Sequence, residues 1–321
     1  MEYKSLSKRL HLDFILIIRI VVISGLGLFI IYSATGQNEQ IIYKQLIRLA
    51  IAVNLMILVA QIPVTTIQRW APVLYLSGIL LLLAVLFFGE TGKGAQRWLN
   101  LGVVRFQPSE IMKLAVPIAV AWFFADKSLP PGVAKIVQSL MIILFPVLLI
   151  AKQPDLGTAL LVALAGISIL FVAGISWKLI GSSFVLMLPG AYVLWSLMHE
   201  YQKQRVLTFL DPEQDPLGSG YHIIQSKIAI GSGGVYGKGW LSGTQSHMEF
   251  LPERTTDFIF AVFCEEFGFI GVLFLISAYL LVIIRGLIIA MNAQDNFSKL
   301  LASGITLTFF VYVFVNVGMV T

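Results

Sequence analysis

Charge is scarce in this sequence. Asp, Glu, Lys and Arg make up 12% of its 321 residues, against 58% hydrophobic residues, and the mean hydropathy is +0.87. So little charge cannot cover a water-soluble domain of this length, which excludes a soluble globular protein and makes lipid the main solvent. Cysteine is almost missing: Cys264 stands alone inside an apolar stretch and has no partner for an internal disulfide. The four histidines, His11, His199, His222 and His247, never fall in an HxxxH or similar ligand spacing, so no metal site is read from them. No basic run with interleaved aromatics exists outside the apolar blocks, so nucleic acid is not an expected partner. The net charge of +5 suits anionic head groups of membrane lipids or a phosphorylated substrate instead. Nor is an internal repeat visible, which leaves an inverted-repeat transporter unsupported.

What is present is a succession of apolar blocks. By the ~20-residue criterion for crossing a bilayer, spans fall at about 14–34, 46–62, 72–88, 108–125, 134–151, 156–174, 177–198, 258–289 and 297–319. The expected fold class is all-α, a polytopic transmembrane helix bundle with nine spans forming a single membrane domain over 1–321. Lys4, Lys8 and Arg9 ahead of the first block imitate a secretory signal, but that block is too long and more spans follow, so it reads as a retained helix. The longest polar stretch is 199–257, with three prolines and a glycine cluster from Gly231 to Gly243; a shorter loop, 89–107, joins the third and fourth spans. With nine spans both lie opposite the N-terminus. Lysines and arginines in the tail and short loops number nine on the N-terminal side and six on the other. That excess places the N-terminus in the cytoplasm and both loops outside. The abrupt apolar end at Val315–Thr321 and the odd helix count lead to the expectation of a missing final segment.

Ionisable groups at membrane boundaries are the candidates for function, since charge in lipid is costly. The first cluster is Phe106-Gln107-Pro108-Ser109-Glu110-Ile111-Met112-Lys113, opening the fourth span. Pro108 suits the first helical position, Glu110 suits the positive end of the helix dipole, and Lys113 follows at i+3 on the same face. The pair reads either as a structural anchor or as a substrate-facing pair. The second cluster is Leu251-Pro252-Glu253-Arg254-Thr255-Thr256-Asp257-Phe258, before the eighth span. Asp257 is either a helix cap, with Thr255 and Thr256 as rival caps, or an acid–base group at the water–lipid boundary. The third is Lys152-Gln153-Pro154-Asp155-Leu156-Gly157-Thr158, where Pro-Asp before a helix is ordinary helix-start chemistry, although Lys152 and Gln153 can face the same cavity.

Two carboxyls lie deeper. Glu265 is eight residues beyond Asp257, about 12 Å along a helix and within about 80° of its face, whereas Glu266 points nearly opposite. Glu265 is therefore the better candidate for coupling to the site. The glycine cluster does not make a phosphate loop: Gly237-Lys238 is followed by Gly239, and Ser232 stands where the first glycine is required. The stretch from Tyr221 to Ile230 is apolar enough to lie along the interface.

Taken together, these stretches resemble the SEDS (shape, elongation, division, sporulation) family of peptidoglycan glycosyltransferases. The resemblance rests on Phe106-Gln107-Pro108-Ser109-Glu110 with Lys113, on Lys152 to Thr158, on Gln225-Ser226 with its following glycines, and on Phe250 to Phe260, in order along nearly the whole chain. Arg254 after Pro252-Glu253 fits the rod-shape-determining branch better than the division branch. The resemblance implies a ten-helix fold in the cytoplasmic (inner) membrane that polymerises lipid II into glycan strands on the outer face during cell elongation. The family's essential aspartate falls on Asp257, its glutamate–lysine pair on Glu110 and Lys113, and a tryptophan of the third-to-fourth loop on Trp98. It also implies a class B penicillin-binding protein, a transpeptidase, as partner. The tenth helix and the Pro-rich loop before it have no counterpart here.

The expected chemistry is attack of an acceptor sugar hydroxyl on the anomeric carbon of a donor carried on a lipid diphosphate. A base is needed for the hydroxyl, and Asp257 is assigned to it. Positive charge is needed for the leaving diphosphate. Arg254, Lys113 and Arg205 are the candidates, with a divalent cation as a further one and no protein metal ligands assigned. Lys152, Gln153, Gln225 and Ser226 complete the expected substrate-binding set. Two other functions share the substrate: a lipid-linked precursor flippase, which needs polar groups through the bilayer, and a non-catalytic scaffold for a transpeptidase.

Overall fold

A computed structural model describes residues 11–92, 95–100, 105–177, 179, 181, 189–190, 192, 195–196, 198, 200–215, 219–244 and 254–320, some of them by backbone alone. Helices dominate: α1 Phe14–Ala34, α2 Glu39–Ala60, α3 Val64–Phe88, α4 Pro108–Phe124, α5 Val133–Lys152, α6 Leu156–Val172, α7 Glu200–Leu210, α8 Ser219–Gly233, α9 Ile259–Met291 and α10 Asn296–Val320. Six of them, α1, α2, α3, α5, α9 and α10, are long and apolar enough to cross a membrane. The protein is a multi-pass membrane protein. Most of the seventh expected span, 177–198, lies outside the described residues.

Local chemistry sets the ends. The Asp13 carboxylate accepts the Leu16 N–H at 2.8 Å and so starts α1. Asn38 accepts from Gln40 and Ile41 and starts α2, satisfying N–H groups that have no partner within the helix. Both α2 and α3 begin earlier than hydropathy suggests, at Glu39 and Val64 rather than near 46 and 72. Their first turns carry Gln40, Lys44 and Gln45, or Gln68 and Arg69, which hydropathy cannot count as spanning although the backbone remains helical. Pro72, Pro117 and Pro146 sit inside α3, α4 and α5, as membrane helices allow when neighbouring groups satisfy the freed backbone.

The chain divides into two compact units. One holds α3 to α6, α9 from Ile283 and α10 up to Tyr312. Its core interleaves Leu82, Met112, Val116, Val120, Phe124, Ile143, Ile150, Val162 and Ile169 with Phe297 and Leu300 of α10. Between α3 and α4 the 89–107 loop folds into a small antiparallel sheet, β1 Glu90–Gly92, β2 Ala95–Asn100 and β3 Arg105–Phe106, in the order β1-β2-β3. Glu90 pairs with Trp98 and Leu99 with Phe106, and Asn100 donates to the Glu90 carboxylate at 3.0 Å. These strands are short and polar, with no long alternation to announce them.

The other unit holds α1, α2, α7, α8, α9 up to Val282 and α10 from Val313. Its small core joins Ala34, Ala229, Ala261, Val262 and Val320. Within the polar stretch 199–257, α7, a 3₁₀ turn at Pro212–Gln214 and α8 occupy much of the described part. No residue of α2 is buried, which fits a helix whose apolar side chains meet lipid.

Candidate active site

In the unit built on α4, Pro108 opens the helix at its first position, as the sequence requires. Lys113 Nζ lies 2.7 Å from Glu110 Oε1, the i+3 pair read from the spacing. The two ends differ in exposure: the lysine side chain is 15% exposed and the glutamate 54%, so the charge on Glu110 faces the open side. Lys113 also sits 5.1 Å from the ring centroid of Tyr312 on α10, a cation–π distance. No spacing in the sequence announces Tyr312, because its partner is nearly two hundred residues away.

The start of α4 also belongs to a partly buried polar network. Gln107 Nε2 donates to Ser109 Oγ at 2.9 Å and to Asp155 Oδ2 at 3.2 Å. Arg97 Nε of β2 lies 3.7 Å from the same Asp155 oxygen, while Asp155 Oδ1 caps α6 by accepting the Thr158 N–H. The capping role expected for Asp155 is present, and its link to Arg97 and Gln107 is an addition. Trp98, next to Arg97, is exposed on β2. Lys152 is exposed in the last turn of α5. Gln153 is buried, and its amide donates to the Leu82 carbonyl at 3.0 Å, joining the end of α5 to α3.

In the other unit Asp257 is exposed, within the turn Arg254–Phe258 that precedes α9. It is not the helix cap. Ala261 and Val262 donate to the Phe258 carbonyl, so Phe258 takes the capping position and Asp257 stands one residue outside. Among the described residues, no hydrogen bond or ion pair engages the Asp257 carboxylate. Phe258 stacks on His222 of α8, ring centroids 6.0 Å apart and 22° from parallel, which ties the neighbour of Asp257 to α8. Arg254 is half-buried in the same turn, and Pro252 and Glu253 lie outside the described residues. Arg205 lies on α7, with its side chain outside the described set.

Of the Gln225-Ser226 pair, Gln225 is half-buried on α8. Ser226 is fully buried and donates to the Val320 carbonyl at 2.7 Å; it holds α8 to the end of α10. The helical-wheel link from Asp257 to Glu265 also changes, because α9 begins only at Ile259 and the wheel cannot be started at Asp257. Glu265 instead has partners of its own, Lys238 Nζ at 2.7 Å and both the N–H and the hydroxyl of Thr244. Glu266, on the other side of the helix, accepts from the Ser33 hydroxyl of α1.

The family model of the FtsW/RodA/SpoVE cell cycle proteins matches residues 8–321. The chain belongs to this family. Over 319 residues it is 52% identical to the Escherichia coli (strain K12) peptidoglycan glycosyltransferase MrdB, covering 99% of this chain and 86% of that one. It is 36% identical over 325 residues to the probable peptidoglycan glycosyltransferase FtsW of Trichlorobacter lovleyi, covering 96% and 84%. A solved chain from a study of how a peptidoglycan synthase complex coordinates polymerization and crosslinking superposes with a TM-score of 0.82 at 30% identity, covering 96% of this chain and 87% of that one.

Proposed function

We propose that this protein is a peptidoglycan glycosyltransferase that polymerises lipid II into glycan strands at the outer face of the cytoplasmic membrane during cell elongation, with Asp257 as general base. The observation that carries the reading is the state of Asp257: an exposed carboxylate, one residue outside a membrane helix, neither capping it nor paired among the described residues. A carboxylate already committed to a cap would be a poor proton acceptor.

In this reaction the acceptor hydroxyl oxygen bonds to the anomeric carbon of the donor. Its proton passes to Asp257, and the bond from that carbon to the lipid diphosphate breaks, the diphosphate leaving with the electron pair. Displacement in one step inverts the anomeric centre. The leaving group is a stable anion, so the protein supplies positive charge rather than a general acid. Lys113, Arg254 and Arg205 are assigned to that work, with Glu110 holding the Lys113 ammonium and Trp98, Lys152 and Gln225 offering polar or aromatic contacts. Gln153 and Ser226 are left to packing, since both spend their polar groups on backbone carbonyls. Among the described residues no group of three or more His, Cys, Asp or Glu side chains is placed to hold a metal ion, so no step is routed through a divalent cation.

The excess of Lys and Arg on the N-terminal side supports a cytoplasmic N-terminus. The likeness to a chain studied for polymerization and crosslinking supports a class B penicillin-binding protein as partner. The test is reconstitution in vesicles with lipid II confined to the outer leaflet. Glycan polymer from that leaflet supports the enzyme; transfer of lipid II without polymer supports a flippase, and neither product supports a scaffold.

A further inference from the structure

Glu265 and Glu266 are 0% and 1% exposed, and the reaction above uses neither. A buried carboxylate persists as an anion only where charge and hydrogen bonds compensate the lost water. For Glu265 the hydrogen bonds to Oε1 come from one loop. Lys238 Nζ lies 2.7 Å from Glu265 Oε1, the Thr244 N–H donates to the same oxygen at 2.8 Å, and the Thr244 hydroxyl donates to it at 3.0 Å.

The backbone reinforces these contacts, and the reason lies in α9. The helix opens at Gly268, whose φ of 63° and ψ of −164° no helix contains. The opening removes the carbonyls of Glu265 and Glu266 and the N–H groups of Phe269 and Ile270 from the helical ladder. The loop after α8 supplies all four partners. Lys238 N–H donates to the Glu265 carbonyl at 2.9 Å and Gly239 N–H to the Glu266 carbonyl at 3.0 Å; Phe269 N–H donates to Gly234 at 3.0 Å and Ile270 N–H to Val235 at 3.1 Å. The approach is close enough that a side chain at Gly237, which has φ +78°, would collide with the Glu266 carbonyl.

This junction bears on Asp257 through chain connectivity. The bonds between Thr244 and Glu265 close a loop of chain with a sequence separation of 21, and Asp257 lies within it. One end of that loop is fixed by the Glu265 carboxylate. The other end is the first segment of α9, on which Glu265 itself sits. We propose that Glu265, held by Lys238 and Thr244, is a positioning residue for the reaction assigned to Asp257, fastening both ends of the segment that presents the base. The inference rests on Asp257 being that base.

The experiment measures polymerisation of lipid II by the full chain in vesicles, across substrate concentration, for Lys238→Met, Glu265→Gln, the double variant, Thr244→Val and Asp257→Asn. Amide hydrogen exchange over 244–257 and the unfolding temperature are measured on the same samples. A displaced catalytic group lowers rate more than affinity. Lys238→Met is therefore expected to lower kcat roughly 10- to 100-fold with KM nearly unchanged, and to speed exchange over 244–257. Removing the stranded carboxylate as well should restore part of that loss, so the double variant turns over faster than Lys238→Met alone. Thr244→Val, which deletes one donor, should lower kcat by a smaller factor and keeps the test decisive if Lys238→Met fails to fold. A merely structural role predicts a lower unfolding temperature with kcat per folded molecule and exchange over 244–257 unchanged; that result overturns the proposal. Product from Asp257→Asn would overturn the base assignment instead, whatever the other variants do.

Discussion

Gln107 Nε2 lies 3.2 Å from Asp155 Oδ2, which joins the start of α4 to the start of α6. The same carboxylate caps α6 and faces Arg97, so one side chain orders three elements around Glu110 and Lys113. Asp155→Asn keeps a good cap but removes the charge opposite Arg97, whereas Asp155→Ala removes both. Losing a cap alone costs about 0.5–2 kcal/mol. Alanine should therefore lower the unfolding temperature further than asparagine, as read by a thermal melt in detergent. Equal melts would show that the cap contributes nothing.

Lys113 and Glu110 separate function from stability in a different way. The glutamate end is more than half exposed, and exposed pairs contribute only about 0–1 kcal/mol. Glu110→Gln should thus leave the melt within a few degrees of the parent while polymerisation falls at least tenfold, whereas Lys113→Ala, which removes a mostly buried side chain, should lower activity at least as far and the melt as well. Tyr312 offers a finer test, because Tyr312→Phe removes the phenol hydroxyl that also accepts a hydrogen bond from the Lys113 ammonium, while Tyr312→Leu removes the ring face as well. The phenylalanine variant should lose part of the activity and the leucine variant more, both less than Lys113→Ala, since the ring face itself contributes about 0.5–1 kcal/mol.

Ser226 should behave in the opposite sense. Its hydroxyl is buried on the Val320 carbonyl, so Ser226→Ala loses a buried hydrogen bond worth about 0.5–1.5 kcal/mol. The melt should drop slightly, and KM for lipid II should not move. A raised KM with an unchanged melt would return this serine to the substrate.

Much of this arrangement is legible in the sequence because it is local. The Glu110–Lys113 pair follows from i+3 spacing and the Asp155 cap from Pro-Asp before an apolar run; the spans follow from hydropathy wherever the helix stays within lipid. Other features depend on contacts distant in sequence. Lys238 meets Glu265 across 27 residues and Tyr312 meets Lys113 across nearly two hundred, and no periodicity encodes such meetings. The helical register cannot be carried from Asp257 to Glu265 because the helix starts two residues after Asp257. Ser226 and Gln153 are polar residues within recognisable motifs, yet they face carbonyls of neighbouring helices, which only the packing shows.

The orientation has its own consequence. The proposed cytoplasmic N-terminus predicts that the turn containing Asp257 faces outward. A cysteine placed at Thr256, which is exposed, should react with a membrane-impermeant thiol reagent added to intact spheroplasts. Labelling only after lysis would reverse the topology.

The most direct test concerns Asp257 itself. Purified Asp257→Asn and Asp257→Glu proteins are compared with the parent for glycan strands made from lipid II, alongside melting temperature and lipid II binding. The asparagine variant cannot take a proton and should lose at least ~10²-fold in rate, the usual contribution of a general base, with melt and binding intact. The glutamate variant should retain a measurable fraction. Strands formed at the parent rate by the asparagine variant would contradict the account, because the proton would then be leaving the sugar by another route.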